Sequence, residues 1–320
     1  MSVPPFVTAD ELRAALGFAE LIEPVAEAFR RSSAGEAQNG LIVLFPGNDA
    51  AAGDVYVKSG VLSGAPLFIV KVAPWFAANT RTGMPQGGFV AVFDSATGHT
   101  RAILADEHYL SDIRTAAAGA IAARLFAPAR VGTAAVLGAG VQAYWQSLAL
   151  FHERSFERLL IWARDTAKAD RLIERLREKL PSVDIAVAQS VEQAVRAADV
   201  LITATLSREP LVRGAWLRPG QHITAVGADD ATKCELDADV LRRAVVFVDD
   251  RATAESNGDV YAAIQDGGDR AGLIDGEIGE VLTKRIDGRT SDEQITVAKL
   301  IGIGAQDVAA AAASIKALNL

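Results

Sequence analysis

The stretch Val131–Ala143, VGTAAVLGAGVQA, constrains this 320-residue chain more than any other. Thr133–Leu137 reads as a buried strand, Gly138-Ala139-Gly140 as a turn, and a helix is expected to open at Val141. That order gives the G-x-G-x-x-A form of a dinucleotide-binding turn. The first glycine permits the tight turn and the second lets a pyrophosphate approach the main chain. The small Ala143 lets the helix pack close to the strand, with the phosphate at the helix N-terminus. A lone glycine turn is weak evidence, so its surroundings decide its weight.

After Val131, short apolar strands alternate with helical patterns: strand 133–137 and helix 141–152, strand Leu159–Trp162 and helix Thr166–Leu180, strand Ile185–Val187 and helix Val191–Ala198, then strands at Val200–Thr203, Ile223–Val226 and Val245–Val248. Such alternation predicts βαβ units and an α/β, Rossmann-type, doubly wound parallel sheet. The residues ahead of it differ. Thr8-Ala-Asp-Glu11 has the form of a capping box opening a helical region through Arg31. Gly40–Val72 then holds short β-rich runs broken at Pro46-Gly47-Asn48, Gly53, Gly60 and Gly64-Ala-Pro66, and Gly87–Leu104 reads as two strands around a turn at Ser95–Gly98. A helix over Tyr109–Ala127 follows, with Ser111 or Asp112 as its cap and Pro128 as its stop. Gln294–Leu320 reads as helical and returns to the first part. The chain therefore divides into a second α+β domain, 1–128 with 296–320, and the Rossmann domain, 129–295.

The net charge of −8 lacks the clustered positive potential that nucleic acid requires. No apolar run approaches the ~20 residues needed to span a bilayer. The start, MSVPPFVTADELRAALG, has early prolines and acids where an export signal has a basic start and an apolar run, so a cytoplasmic location is expected. The single cysteine, Cys234, leaves no internal disulfide and reads as a small buried hydrophobe. The four histidines, 99, 108, 152 and 222, are dispersed, and no metal site is expected.

Four positions carry candidate chemistry. At the end of the second Rossmann strand, WARD, Ala163 stands where a ribose-binding carboxylate is sought and Arg164 follows. This leans to NADP(H) over NAD(H), unless Asp165 caps the next helix or turns to the ribose while Arg164 is merely solvated. Lys71 lies in the apolar run Leu67–Val72, where an unpaired buried ammonium is costly, so it either snorkels out or faces a ligand. Arg114 is placed in the first turn of its helix. There it forms either an anion site with fork geometry for a carboxylate, or a surface salt bridge with Asp112 or Glu107. Asp229 and Asp230 follow the strand HITAVGA at the edge where doubly wound sheets bind ligands. They suit proton transfer, and equally a turn or cap.

The blocks RTAAAGAIAARLFAP, AVLGAGVQA, ATLSREP, TAVGADDATKCEL, SNGDV and GRTSDEQITVAKLIGIGAQD, in this order, resemble the ornithine cyclodeaminase/μ-crystallin family from about Val55 to Ala313. YLSDIRTAAAGA and ITVAKLIGIGAQD are most similar to its ectoine-utilisation branch. The resemblance implies a homodimer in which a substrate-binding and dimerisation domain accompanies the Rossmann domain. It also implies hydride transfer with NAD(P)(H) at the carbon bearing nitrogen in a small amino or imino acid. On it, Lys71 and Arg114 contact the substrate and its carboxylate, and Asp229 acts as acid/base. Gly138, Gly140, Val141 and Gln142 form the cofactor turn, and Thr205, Val226 and Gly227 line the nicotinamide. One departure stands out: residues 39–47 lack the family's additional arginine, and Lys58 falls where cyclodeaminases have a glutamate. Lys58 would repel a side-chain ammonium and could serve a second carboxylate or replace the missing arginine. The leading expectation is an imine or ketimine reductase or amino-acid dehydrogenase. The alternatives are a cyclodeaminase that releases ammonia from a diamino acid such as ornithine, and a non-catalytic binding protein.

Overall fold

The structure, a computed structural model, describes residues 3–47, 52–82, 86–268 and 272–320. Asn48, part of the expected turn at 46–48, lies outside them. The chain forms two compact units, residues 1–117 with 303–320 and residues 118–302.

In the first unit, β1 (Phe6–Thr8) leads into α1 (Ala9–Ala15) through the capping box of Thr8 and Glu11. The expected helical region holds two helices parted at Gly17, and the second, α2 (Phe18–Ser33), buries Leu21, Ile22, Val25 and Phe29. Then come β2 (Ala37–Leu44), β3 (Gly53–Leu62), β4 (Leu67–Phe76), the short α3 (Ala77–Thr82), β5 (Phe89–Asp94) and β6 (Thr100–Ala105). Among the described residues these strands form a six-stranded sheet in the order β1-β6-β5-β4-β3-β2, antiparallel except for the β1–β6 pair. Along β4, Leu67, Ile69, Lys71 and Ala73 share the buried face, which places an ammonium in a row of core side chains.

Helix α4 spans Tyr109–Phe126. Its first turn is capped by Asp106, whose Oδ2 accepts from Leu110 N at 3.1 Å, and Ser111 and Asp112 lie inside the helix. Arg114 consequently belongs to the second turn, beyond the end where the helix dipole is strongest.

The second unit holds β7 (Thr133–Leu137), α5 (Val141–Glu153), β8 (Arg158–Trp162), α6 (Thr166–Lys179), β9 (Asp184–Val187), α7 (Val191–Ala197), β10 (Val200–Thr203), β11 (His222–Ala225), α8 (Ala238–Arg243), β12 (Val245–Val248), α9 (Arg251–Ala254), α10 (Gly258–Gln265), β13 (Gly276–Glu277), α11 (Ile278–Leu282) and β14 (Thr296–Lys299). The described strands make one parallel sheet ordered β13-β12-β14-β11-β10-β7-β8-β9. The order reverses between β7 and β10, and the carboxyl edge at that switch point is where such sheets bind ligands.

The expected boundaries at 128/129 and 295/296 thus differ from the divisions found. Residues 296–299 are a fully buried strand threaded between β11 and β12, and only the last helix, α12 (Gly304–Ala317), joins the first unit. The apolar run ITVAKL reads equally as buried strand or helix, because periodicity does not separate the two over so few residues. α12 packs against α2 and strands β2–β4. It reaches β3 through a glycine pair: a Cβ on Gly304 would collide with Ser59 O, and one on Gly60 with Gly304 O.

Candidate active site

The glycine turn after β7 is tight. Gly138 takes φ +123°, in a region side chains avoid, and an added Cβ would strike Ala204 O. Its N–H donates to Trp162 O at 2.8 Å, closing the chain over the end of β7. Gly140 begins α5 without a side-chain cap, and a Cβ there would meet nothing within 4 Å. The start of α5 thus has no side-chain cap and a bare main chain at Gly140. Val141 is exposed, and Ala143 is fully buried against the sheet. Gln142 Oε1 accepts from Gln146 Nε2 at 3.4 Å.

Arg164 is exposed beyond β8. Asp165 is the N-cap of α6, its Oδ1 accepting from Lys168 N at 3.3 Å, so this carboxylate already has a structural task. Thr205, Val226 and Gly227 follow the carboxyl ends of β10 and β11. The N–H of Val226 donates to Thr203 O at 2.9 Å, and Gly227 N and Thr205 N both donate to Glu235.

Asp229 and Asp230 share a cation. Lys233 Nζ lies 2.6 Å from Asp229 Oδ1 and 3.2 Å from Asp230 Oδ2. Burial disfavours the Lys233 charge, but the two carboxylates outweigh it and raise its pKa. Asp230 is also a turn former, accepting from Thr232 N and Oγ1. Burial works against its charge, yet Lys233 and Thr232 hold its carboxyl below the usual range. The Asp229 side chain retains 34% exposure. Of the two acids, it is the one with room to meet a ligand.

In the first unit, Lys71 neither snorkels nor stands alone. At 3% exposure its Nζ donates to Asp307 Oδ1 at 2.7 Å and to Ser111 Oγ at 3.1 Å. Arg114 is likewise buried. Its partner is neither Asp112 nor Glu107: Nε donates to Asp307 Oδ1 at 3.2 Å and Nη1 to Gln306 Oε1 at 3.1 Å. Burial pushes Asp307 toward neutrality, but Lys71, Arg114 and Lys58 overcome it and hold its carboxyl at about 2. Burial, partly offset by Asp307, lowers the Lys71 pKa. Lys58, buried on β3, sits over the Tyr56 ring at 5.6 Å. These contacts leave a third proton on Lys71 Nζ and the outer Nη2 of Arg114, so the cluster can still offer donors to a second carboxylate.

Asp307, Gln306, Lys233 and Glu235 carry no role in the sequence reading. Their signal was available only as polar letters in otherwise apolar blocks, GAQD and TKCEL. Cys234 is buried and its thiol is pushed up to about 12 by burial, which suits an inert side chain. Among the described residues no group of three or more His, Cys, Asp or Glu side chains is arranged to hold a metal ion. No described helix is long and apolar enough to cross a membrane.

A parallel sheet with an uncapped glycine turn at its switch point defines a dinucleotide-binding protein of the Rossmann class. Residues 3–316 match the ornithine cyclodeaminase/mu-crystallin family, and the chain belongs to that family. It is 39% identical over 261 residues to an uncharacterized cyclodeaminase of Sinorhizobium fredii, spanning 81% of this chain and 78% of that one. It is 31% identical over 314 residues to the ketimine reductase mu-crystallin of Mus musculus, spanning 96% and 95%. The Thermococcus litoralis Delta(1)-pyrroline-2-carboxylate reductase, solved with NADH and L-proline, superposes with a TM-score of 0.91 at 26% identity over 98% of this chain and 97% of that one.

Proposed function

We propose that this protein is an NAD(P)(H)-dependent oxidoreductase that interconverts a small imino acid and its amino acid at the Cα–N bond. The observation that carries the reading is the convergence of Lys71 and Arg114, both buried, on one carboxylate oxygen of Asp307. The same pair is built to receive the carboxylate of a substrate through its remaining donors. A bound nicotinamide supplies or accepts the hydride at Cα. Lys71 and Arg114 hold the substrate carboxylate, which fixes the face that Cα presents. Asp229, half-exposed and steadied by Lys233, delivers a proton to the imine nitrogen in reduction and takes it back in the reverse direction. Lys58 adds a third cation to the carboxylate-binding wall. The open main chain at Gly140 and the uncapped start of α5 fit the pyrophosphate. Gly138, Val141 and Gln142 frame that turn, and Thr205, Val226 and Gly227 line the nicotinamide. Arg164, exposed where a 2′-phosphate would lie while Asp165 is occupied as a cap, supports NADP(H). Exposed Ile42 and Leu44 on the edge strand β2 support pairing of two copies through the first unit, which serves substrate binding and dimerisation. The single buried thiol fits a reducing, cytoplasmic setting.

The test is a substrate panel. Purified protein is mixed with NADPH or NADH and with five- and six-membered cyclic ketimines, or with 2-oxo acids plus ammonia, and the absorbance of the reduced cofactor is followed. Consumption of reduced cofactor by an imine is expected, and none with any member of the panel would overturn the reading. Cyclodeamination stands second, favoured by the likeness to the Sinorhizobium protein. Lys58 opposes it, since a diamino acid would bring an ammonium toward a buried lysine. Ammonia released from ornithine or 2,4-diaminobutyrate without net change of cofactor would establish it. Cofactor and imino-acid binding with no turnover of either kind would mark a binding protein.

A further inference from the structure

Beneath Thr205 and Gly227 lies a buried polar cluster that the chemistry above does not use. Glu235 is fully buried and accepts four hydrogen bonds. Its Oε2 receives Thr203 Oγ1 at 2.7 Å and Gly227 N at 2.9 Å, and its Oε1 receives Thr205 N at 2.7 Å and Thr205 Oγ1 at 2.8 Å. One side chain thus ties together the segments that leave β10 and β11. Its own main chain is pinned in turn. Asp259 Oδ1 accepts from Glu235 N at 2.6 Å and Leu236 N at 2.9 Å, and Asp259 Oδ2 pairs with Lys299 Nζ at 2.9 Å. Asp259 belongs to the SNGDV block and Lys299 to ITVAK, so two stretches remote in sequence serve one acid. Each Glu235 oxygen faces a main-chain N–H, which can only donate. A glutamine would turn its own donor onto one of them.

We propose that Glu235 is the positioning residue of the nicotinamide site: by clamping Thr205 and Gly227 it sets the edge against which the ring of a bound dinucleotide rests. The proposal rests on the dinucleotide reading above, and its test separates the two. Binding of NADH, NADPH and ADP-ribose, which lacks the nicotinamide, is measured for wild type, Glu235→Gln and Val297→Ala, a core lesion in the same sheet. One N–H left unsatisfied at the clamp is expected to weaken dinucleotide binding about tenfold and to lower kcat at least as much. ADP-ribose affinity should stay within about twofold and the KM for the imino acid should change little, because neither contacts the clamp. Val297→Ala should lower Tm and leave the dinucleotide to ADP-ribose affinity ratio unchanged. If Glu235→Gln does not fold, Thr203→Val, which removes one hydroxyl donor to Glu235 at a buried residue outside the nicotinamide lining, should move the same ratio in the same direction. An unchanged ratio, or equal losses for fragment and dinucleotide, overturns the clamp. Wild-type protein that binds neither would overturn the dinucleotide reading itself.

Discussion

Lys58 and Lys71 stand directly opposite one another in the β3–β4 register, both on the buried face. Like charges so placed destabilise a sheet, and an uncompensated buried ammonium costs more still. Asp307, brought in by α12, is the counterion: it pairs with Lys71, binds Arg114 and feels Lys58. Asp307→Asn should therefore cost about 3–5 kcal/mol in urea unfolding, the range for breaking a buried pair and stranding its partner. Lys58→Met, which relieves the repulsion, should cost much less. Equal losses would show that Asp307 is not the counterion that matters.

Asp229→Asn keeps the shape of the side chain and removes its basicity. Turnover should fall by about a hundredfold or more, while cofactor affinity stays within about twofold. Lys233→Met should lower kcat without abolishing it, because Lys233 holds Asp229 and does not touch the substrate. Retained turnover in Asp229→Asn would remove the acid/base role.

Arg164→Ser tests the cofactor preference. A guanidinium bonded to a 2′-phosphate is lost, so kcat/KM with NADPH should drop about tenfold relative to NADH. An unchanged ratio would leave Arg164 as a solvated surface residue.

His222 is buried between Thr296 Oγ1 at 2.9 Å and Thr224 Oγ1 at 3.0 Å. Burial first, and then the Arg289 and Arg154 charges, bring its pKa to about 3. The unfolded chain protonates this ring near the ordinary value of 6.5, whereas the folded chain does not. The stabilisation is thus complete above pH 6.5 and declines as pH falls toward 3, by about 1.4 kcal/mol per unit. Unfolding measured across that window should show the slope, and His222→Gln should flatten it by one proton. A wild-type slope unchanged in the variant would contradict the neutral buried ring.

The parallel sheet was legible because β-strand and helix periods alternate cleanly from Val131 onward, and Gly138 and Gly140 sit where the turn needs them. Lys71 stands out because a cation in an apolar run demands an explanation, and Arg114 because a cation near a helix start opposes the dipole. Their shared partner does not: Asp307 lies 193 residues beyond Arg114, and sequence carries no distance between them. Residues 296–299 read as helix in the sequence, because a fully buried strand has no alternation to show. Asp106, which caps α4, has no distinct signal in the sequence, because Ser111 and Asp112 are equally good capping letters a few positions on.

The glycine contact between Gly60 and Gly304 has a consequence for how the chain matures. Domains emerging from the ribosome usually fold in the order they are made. Here the first unit lacks the helix that brings Asp307 to Lys71 until residues 304–317 have been synthesised. The second unit, though made later, has all of its described strands by residue 299. The part begun first is the part completed last, and until then the Lys71–Asp307 pair cannot form.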